Sequence, residues 1–86
     1  MQEVAILAEK GDITEELTRL ESHIEQMKNT LKEDGSIGRK LDFICQEMLR
    51  EANTIGAKST AAEINRLDVL LKTDIEKIKE QVQKVE

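Results

Sequence analysis

The spacing of the aliphatic residues constrains this chain more than any other feature. From Ile13, the apolar positions Leu17, Leu20, Ile24, Met27 and Leu31 follow at steps of 4, 3, 4, 3 and 4. From Ile64, steps of 3 and 4 carry through Leu67, Leu71, Ile75, Ile78, Val82 and Val85. A helix turns about 100° per residue, so each series forms one stripe down a helix, whereas the two-residue period of a strand would scatter it. No proline interrupts either series. The spacing predicts an all-α fold, a small antiparallel helical bundle with long amphipathic, coiled-coil-like helices. The helices are expected at about 2–10, 13–32, 37–56 and 60–85.

With 86 residues, 38% apolar and 36% charged, the chain suits one helical domain better than two. One Phe and no Trp or Tyr leave an aliphatic core of limited area, for which oligomerisation or docking on a further domain is a natural remedy. A net charge of −5 opposes general attraction to nucleic acid but is compatible with a local basic groove. The single Cys45 can form no internal disulfide and falls on an apolar stripe, where it reads as buried filler. No apolar run approaches the 18 or so residues of a membrane span, and no signal peptide is evident, so the cytoplasm is the expected address.

Val4, Leu7 and Ala8 give residues 2–10 a helical period without a start signal ahead of them. That segment reads as the tail of a longer element, so the chain is expected to be part of a larger protein, with Met1 an expression start. Gly11 is expected to stop it, and Asp12 with Glu15 to form a capping box for the next helix. Lys32 to Ile37 reads as a polar turn. A break or kink is expected at Gly56 to Ser59, followed by a second capping box from Thr60 and Glu63. Val69 and Leu70 lie off the last stripe and add an apolar patch for another neighbour.

Three groups of residues are candidates for function. On residues 38–59, Leu41, Ile44, Cys45, Met48, Ala52 and Ile55 form the apolar stripe, and the opposite face carries Arg39, Asp42, Phe43, Gln46, Glu47, Arg50, Asn53 and Thr54. The lone aromatic thus points away from the core, either as a contact surface with Gln46 and Asn53 or packed under a neighbouring helix. Beside the first seam runs a polar track of Glu16, Arg19, His23, Gln26 and Thr30. It reads as solvated flanking positions, or as a site where His23 and Arg19 handle a phosphate or a metal-bound water. Glu47 and Glu51, one turn apart, can share a divalent ion or form ordinary surface pairs.

The stretch GRKLDFICQEMLREANTIGAKS resembles the signature of the C-terminal domain of the YicC/YloC family, bacterial proteins described as endoribonucleases. Gly38, Arg39, Leu41, Asp42, Phe43, Gln46, Glu47, Arg50, Glu51, Asn53, Thr54, Lys58 and Ser59 fill the pattern without a gap. Upstream, Glu15, Glu16, Leu17, Arg19, Leu20 and His23 fit its E-E-L-x-R-L-x-x-H form, and DIEKIKEQVQKVE is similar to its ending. The resemblance implies a metal-dependent, RNA-cleaving homo-oligomer in which this domain accompanies a larger N-terminal one. The polar residues themselves suggest how it would work: Glu47, Glu51 and His23 as the catalytic, Mg²⁺- or Mn²⁺-holding groups, and Arg19, Arg39, Arg50 and Lys58 on RNA phosphates. Phe43, Gln46, Asn53, Val69 and Leu70 are the expected interface. The alternative is a purely structural oligomerisation or docking module with no chemistry of its own.

Overall fold

The computed structural model describes residues 12–85, and the expected helix at 2–10 with its Gly11 stop lies outside them. Three helices follow: α1 (Thr14–Thr30), α2 (Gly38–Lys58) and α3 (Ala62–Val85). Among the described residues there is no strand. No helix there is long and apolar enough to cross a membrane.

The expected capping box of Asp12 and Glu15 does not form. Asp12 takes a left-handed backbone conformation (φ 50), and the cap position falls on Ile13, whose side chain can accept nothing. Ile13 is only 1% exposed. Burying such a side chain is worth about 1.5–3 kcal/mol, against about 1 kcal/mol for a polar cap, so packing decides the start of α1. The Leu17 amide donates to the Ile13 carbonyl at 3.0 Å and begins the helical ladder.

The turn after α1 closes with amides of Lys32 and Glu33 on the carbonyls of Asn29 and Thr30. It reverses at Gly35, where φ is 91, a conformation glycine adopts without a Cβ penalty. Lys40 bridges back to Glu33 at 2.8 Å. α2 then runs unbroken through Gly56, and the chain turns only at Ser59, which is extended (ψ 136). The Ser59 hydroxyl accepts from the Ala61 amide at 3.2 Å.

Gly56 has a packing role instead of a helix-breaking one. A Cβ there would lie 2.8 Å from Asp68 Oδ2, so its absence lets α3 approach α2 closely. α2 is the central element and packs against both α1 and α3. Ile13 and Leu20 from the α1 side, Ile44, Cys45, Met48, Ala52 and Ile55 from α2, and Ile64 and Ile75 from α3 make the core. Cys45 is fully buried, and burial pushes its thiol up from the ordinary value.

α1 buries its apolar stripe only in part, with Ile13 and Leu20 in the core and Leu17 and Met27 packed against it. The inward series is Ile13, Glu16, Leu20 and Thr30, with His23 and Met27 half-buried between them, while Ile24 and Leu31 stay exposed. The expected seam therefore finds its partner over only part of its length. The helix is rolled toward the polar track because buried charges there are paired, and because the Thr30 hydroxyl is satisfied by its own helix at the Gln26 carbonyl. α3 likewise buries Asp68 with Ile64, Ile75 and Val82, leaving Leu67, Val69 and Leu70 exposed. Between α1 and α3, above Ile55, lies a cleft of about 220 Å³ walled by Leu17, Leu20, Ile64, Leu67, Asp68 and Leu71.

Candidate functional site

α1 and α2 bring together residues that are far apart in the chain. Successive turns of α1 present Glu16, Arg19 and His23, and the facing turns of α2 present Glu47, Arg50, Glu51 and Lys58. Arg19 Nε donates to Glu51 Oε1 at 3.0 Å, and its Nη2 lies 3.2 Å from Glu16 Oε2. Lys58 Nζ donates to that same Glu16 oxygen at 2.9 Å. Glu16 and Glu51 are buried, 1% and 2% exposed, while the Arg19 and Lys58 side chains are 41% and 42% exposed. Negative charge thus lies inside the seam and positive charge at its rim.

The ionisation follows from these pairs. The hydrogen bond from Lys58 holds the Glu16 carboxyl below its ordinary value of 4.5, against the opposing effect of burial. Arg19 is raised chiefly by its bond to Glu51, and Lys58 chiefly by its bond to Glu16. Glu16, Arg19 and Lys58 are thus each held toward their charged forms.

His23 stands at the edge of this network. Its Nδ1 is 3.3 Å from Gln26 Oε1, and its Nε2 is 3.9 Å from Glu51 Oε2, too far for a hydrogen bond. Buried Nε2 has no hydrogen-bond partner, and neither does Glu16 Oε1.

His23, Glu47 and Glu51 are not drawn together as a ligand set for Mg²⁺ or Mn²⁺. Glu47 is held by Arg50 at 2.9 Å, and Glu51 by Arg19 at 3.0 Å with Arg50 at 4.0 Å from its other oxygen. A guanidinium in front of each carboxylate opposes a second cation there. Among the described residues, no group of three or more His, Cys, Asp or Glu side chains is placed to hold a metal ion.

Of the cations expected to grip phosphate, Arg19, Arg50 and Lys58 share the seam. Arg39 lies twelve residues before Glu51, about 18 Å along α2, beside Val82 and Gln83. On the outer face of α2, Phe43 is 62% exposed, so it does not pack under a neighbouring helix of the described bundle. Gln46 beside it donates to Asp42 Oδ2 at 2.9 Å, and Asn53 is exposed farther along. Val69 and Leu70 form a separate exposed patch on α3.

Two buried acids escape the sequence reading. Glu51 reads as part of the polar face but is turned inward by Arg19, and Asp68 is buried beside Lys72 at 3.2 Å. A signal existed for both: Glu51 stands between Met48 and Ile55, and Asp68 between Ile64 and Leu71, at helical steps of 3 and 4.

The whole chain, residues 1–86, matches the family described as Endoribonuclease YicC-like, C-terminal. Over 85 residues, 99% of this chain, it is 58% identical to a protein of Clostridioides difficile (strain 630) named probable endoribonuclease YicC. It is 47% identical over 85 residues to a protein of the same name from Haemophilus influenzae (strain ATCC 51907 / DSM 11121 / KW20 / Rd). The chain spans 29% of the first relative and 30% of the second, less than a third of either. A family match along the full length, with these identities over nearly every residue, places this chain in the YicC-like C-terminal domain family.

Proposed function

We propose that this chain serves as a single helical domain, an antiparallel bundle with coiled-coil-like helices, at the C-terminal end of a cytoplasmic, metal-dependent endoribonuclease. There it supplies contacts between subunits of a homo-oligomer and one edge that touches RNA. The observation that carries the RNA role is the layered seam, in which half-exposed Arg19 and Lys58 sit over buried Glu16 and Glu51. Cations fixed this way reach phosphate without a search through rotamers. A divalent ion, Mg²⁺ or Mn²⁺, would neutralise charge and activate water for phosphodiester hydrolysis. Because guanidinium groups occupy Glu47 and Glu51, its ligands come largely from outside residues 12–85, including the larger N-terminal domain.

The test is RNA cleavage by the longer parent protein, with and without residues 12–85, in Mg²⁺, Mn²⁺ and chelator. Loss of metal-dependent cleavage on deletion is expected, with no cleavage by the isolated 86-residue chain. Undiminished cleavage by the deleted parent would refute the proposal.

A second reading is favoured by the Arg–Glu pairing and by the exposed Phe43, Val69 and Leu70: a docking module with no chemistry of its own. Here Phe43→Asp should reduce the oligomer seen by size-exclusion chromatography with light scattering while leaving helicity intact, since the ring is outside the core. An unchanged oligomer would count against Phe43 as a subunit contact.

A further inference from the structure

Glu16 is almost fully buried, yet it bonds two cations through a single oxygen: Lys58 Nζ at 2.9 Å and Arg19 Nη2 at 3.2 Å. The two nitrogens can therefore be no farther apart than those lengths laid end to end. Two donors so spaced can both reach one phosphate group, because charge-assisted N–H···O bonds run to about 2.8 Å. We propose that Glu16 is a positioning residue that gathers Arg19 and Lys58 into a clamp for a single backbone phosphate of RNA. The inference rests on the RNA-contacting role proposed above.

The four charges of Glu16, Glu51, Arg19 and Lys58 sum to zero, but their depth does not. Both carboxylates are buried and both cations are about two-fifths exposed, so of these four groups an approaching phosphate meets the cations first. The competing surface acids are Glu15, 3.2 Å from Arg19 Nη1 and 77% exposed, and exposed Asp12, whose charge acts on Lys58. An exposed pair of that kind is weak and yields to a better-placed anion. Buried Glu16 touches no RNA itself and acts through the cations it holds.

The experiment is fluorescence anisotropy with a labelled single-stranded RNA about 20 nucleotides long and the 86-residue chain, at several salt concentrations, with helicity checked by circular dichroism. The sign of the effect is diagnostic. Glu16→Gln removes one negative charge from a chain of net charge −5, so general electrostatics would tighten binding. The clamp requires weakening of about tenfold, with the salt slope reduced by about 0.7 for each phosphate the variant no longer neutralises. Lys58→Gln, which keeps a hydrogen-bond donor for buried Glu16 but removes the positive charge, should weaken binding similarly, and the double variant should add less than about twofold. Tighter or unchanged binding by Glu16→Gln, or an unchanged salt slope in Lys58→Gln, would overturn the clamp while leaving the RNA-contacting role standing. Failure of the unsubstituted chain to bind the RNA would overturn the clamp, whereas the RNA-contacting role stands or falls with cleavage by the longer parent protein.

Discussion

Replacing Gly56 with alanine sets helix propensity against packing at one atom. Propensity alone favours the alanine by about 1 kcal/mol in a helix interior, and Gly56 lies inside α2. Yet the added Cβ would lie 2.8 Å from Asp68 Oδ2, well inside the roughly 3.5–4.0 Å of ordinary contact. Asp68 has little freedom to give way, being 4% exposed and tied to Lys72 at 3.2 Å. Overpacking of this kind costs about 1–3 kcal/mol, which outweighs the propensity gain and leaves a net loss near 1 kcal/mol. For a domain of this size that lowers Tm by about 4–8 °C. Thermal and urea unfolding should show the loss for Gly56→Ala, and a reversal when Asp68→Ala is already present, because the obstructing oxygen is gone. The coupling between the two sites should then be about 2 kcal/mol. A higher Tm for Gly56→Ala in the native background would refute the close-approach argument.

Glu51→Ala should destabilise the fold by about 1–2 kcal/mol in urea unfolding, less than the roughly 3–5 kcal/mol of a fully buried ion pair because the Arg19 left behind is 41% exposed. A change within experimental error would show that Glu51 does not fasten α1 to α2. Because Glu16 titrates below 4.5 when folded, its ionised form adds stability above that value, and the contribution is lost as pH falls through its lowered folded value. Urea midpoints should therefore fall in that acid range, and the fall should be shallower in Glu16→Gln. Identical pH profiles would remove Glu16 from the account.

Periodicity alone was enough to place three helices and the turns between them. The 3-and-4 spacing is a local property, set by about 3.6 residues per turn, and it survives whatever the helices pack against. The position of Phe43 off the apolar stripe of α2 and the burial of Cys45 on it were legible for the same reason, by counting, whereas counting left open whether the ring packs under a neighbouring helix. Much of the family signature was also legible as an unbroken run from Gly38 to Ser59, even though the run does not say what its charged residues do.

Tertiary structure decided the roll of each helix and the partners of its charges. α1 turns Glu16 inward and leaves Leu31 exposed, because two cations at the seam, Arg19 and Lys58, compensate the buried carboxylate. Gly56 reads in sequence as a weak point, but becomes a contact site once α3 lies against it. Glu47 and Glu51 sit one turn apart, yet one stays near the surface with Arg50 and the other is buried under Arg19. The pairs that settle the seam, Arg19 with Glu51 and Glu16 with Lys58, join residues 32 and 42 positions apart, so their energy does not exist until the helices meet.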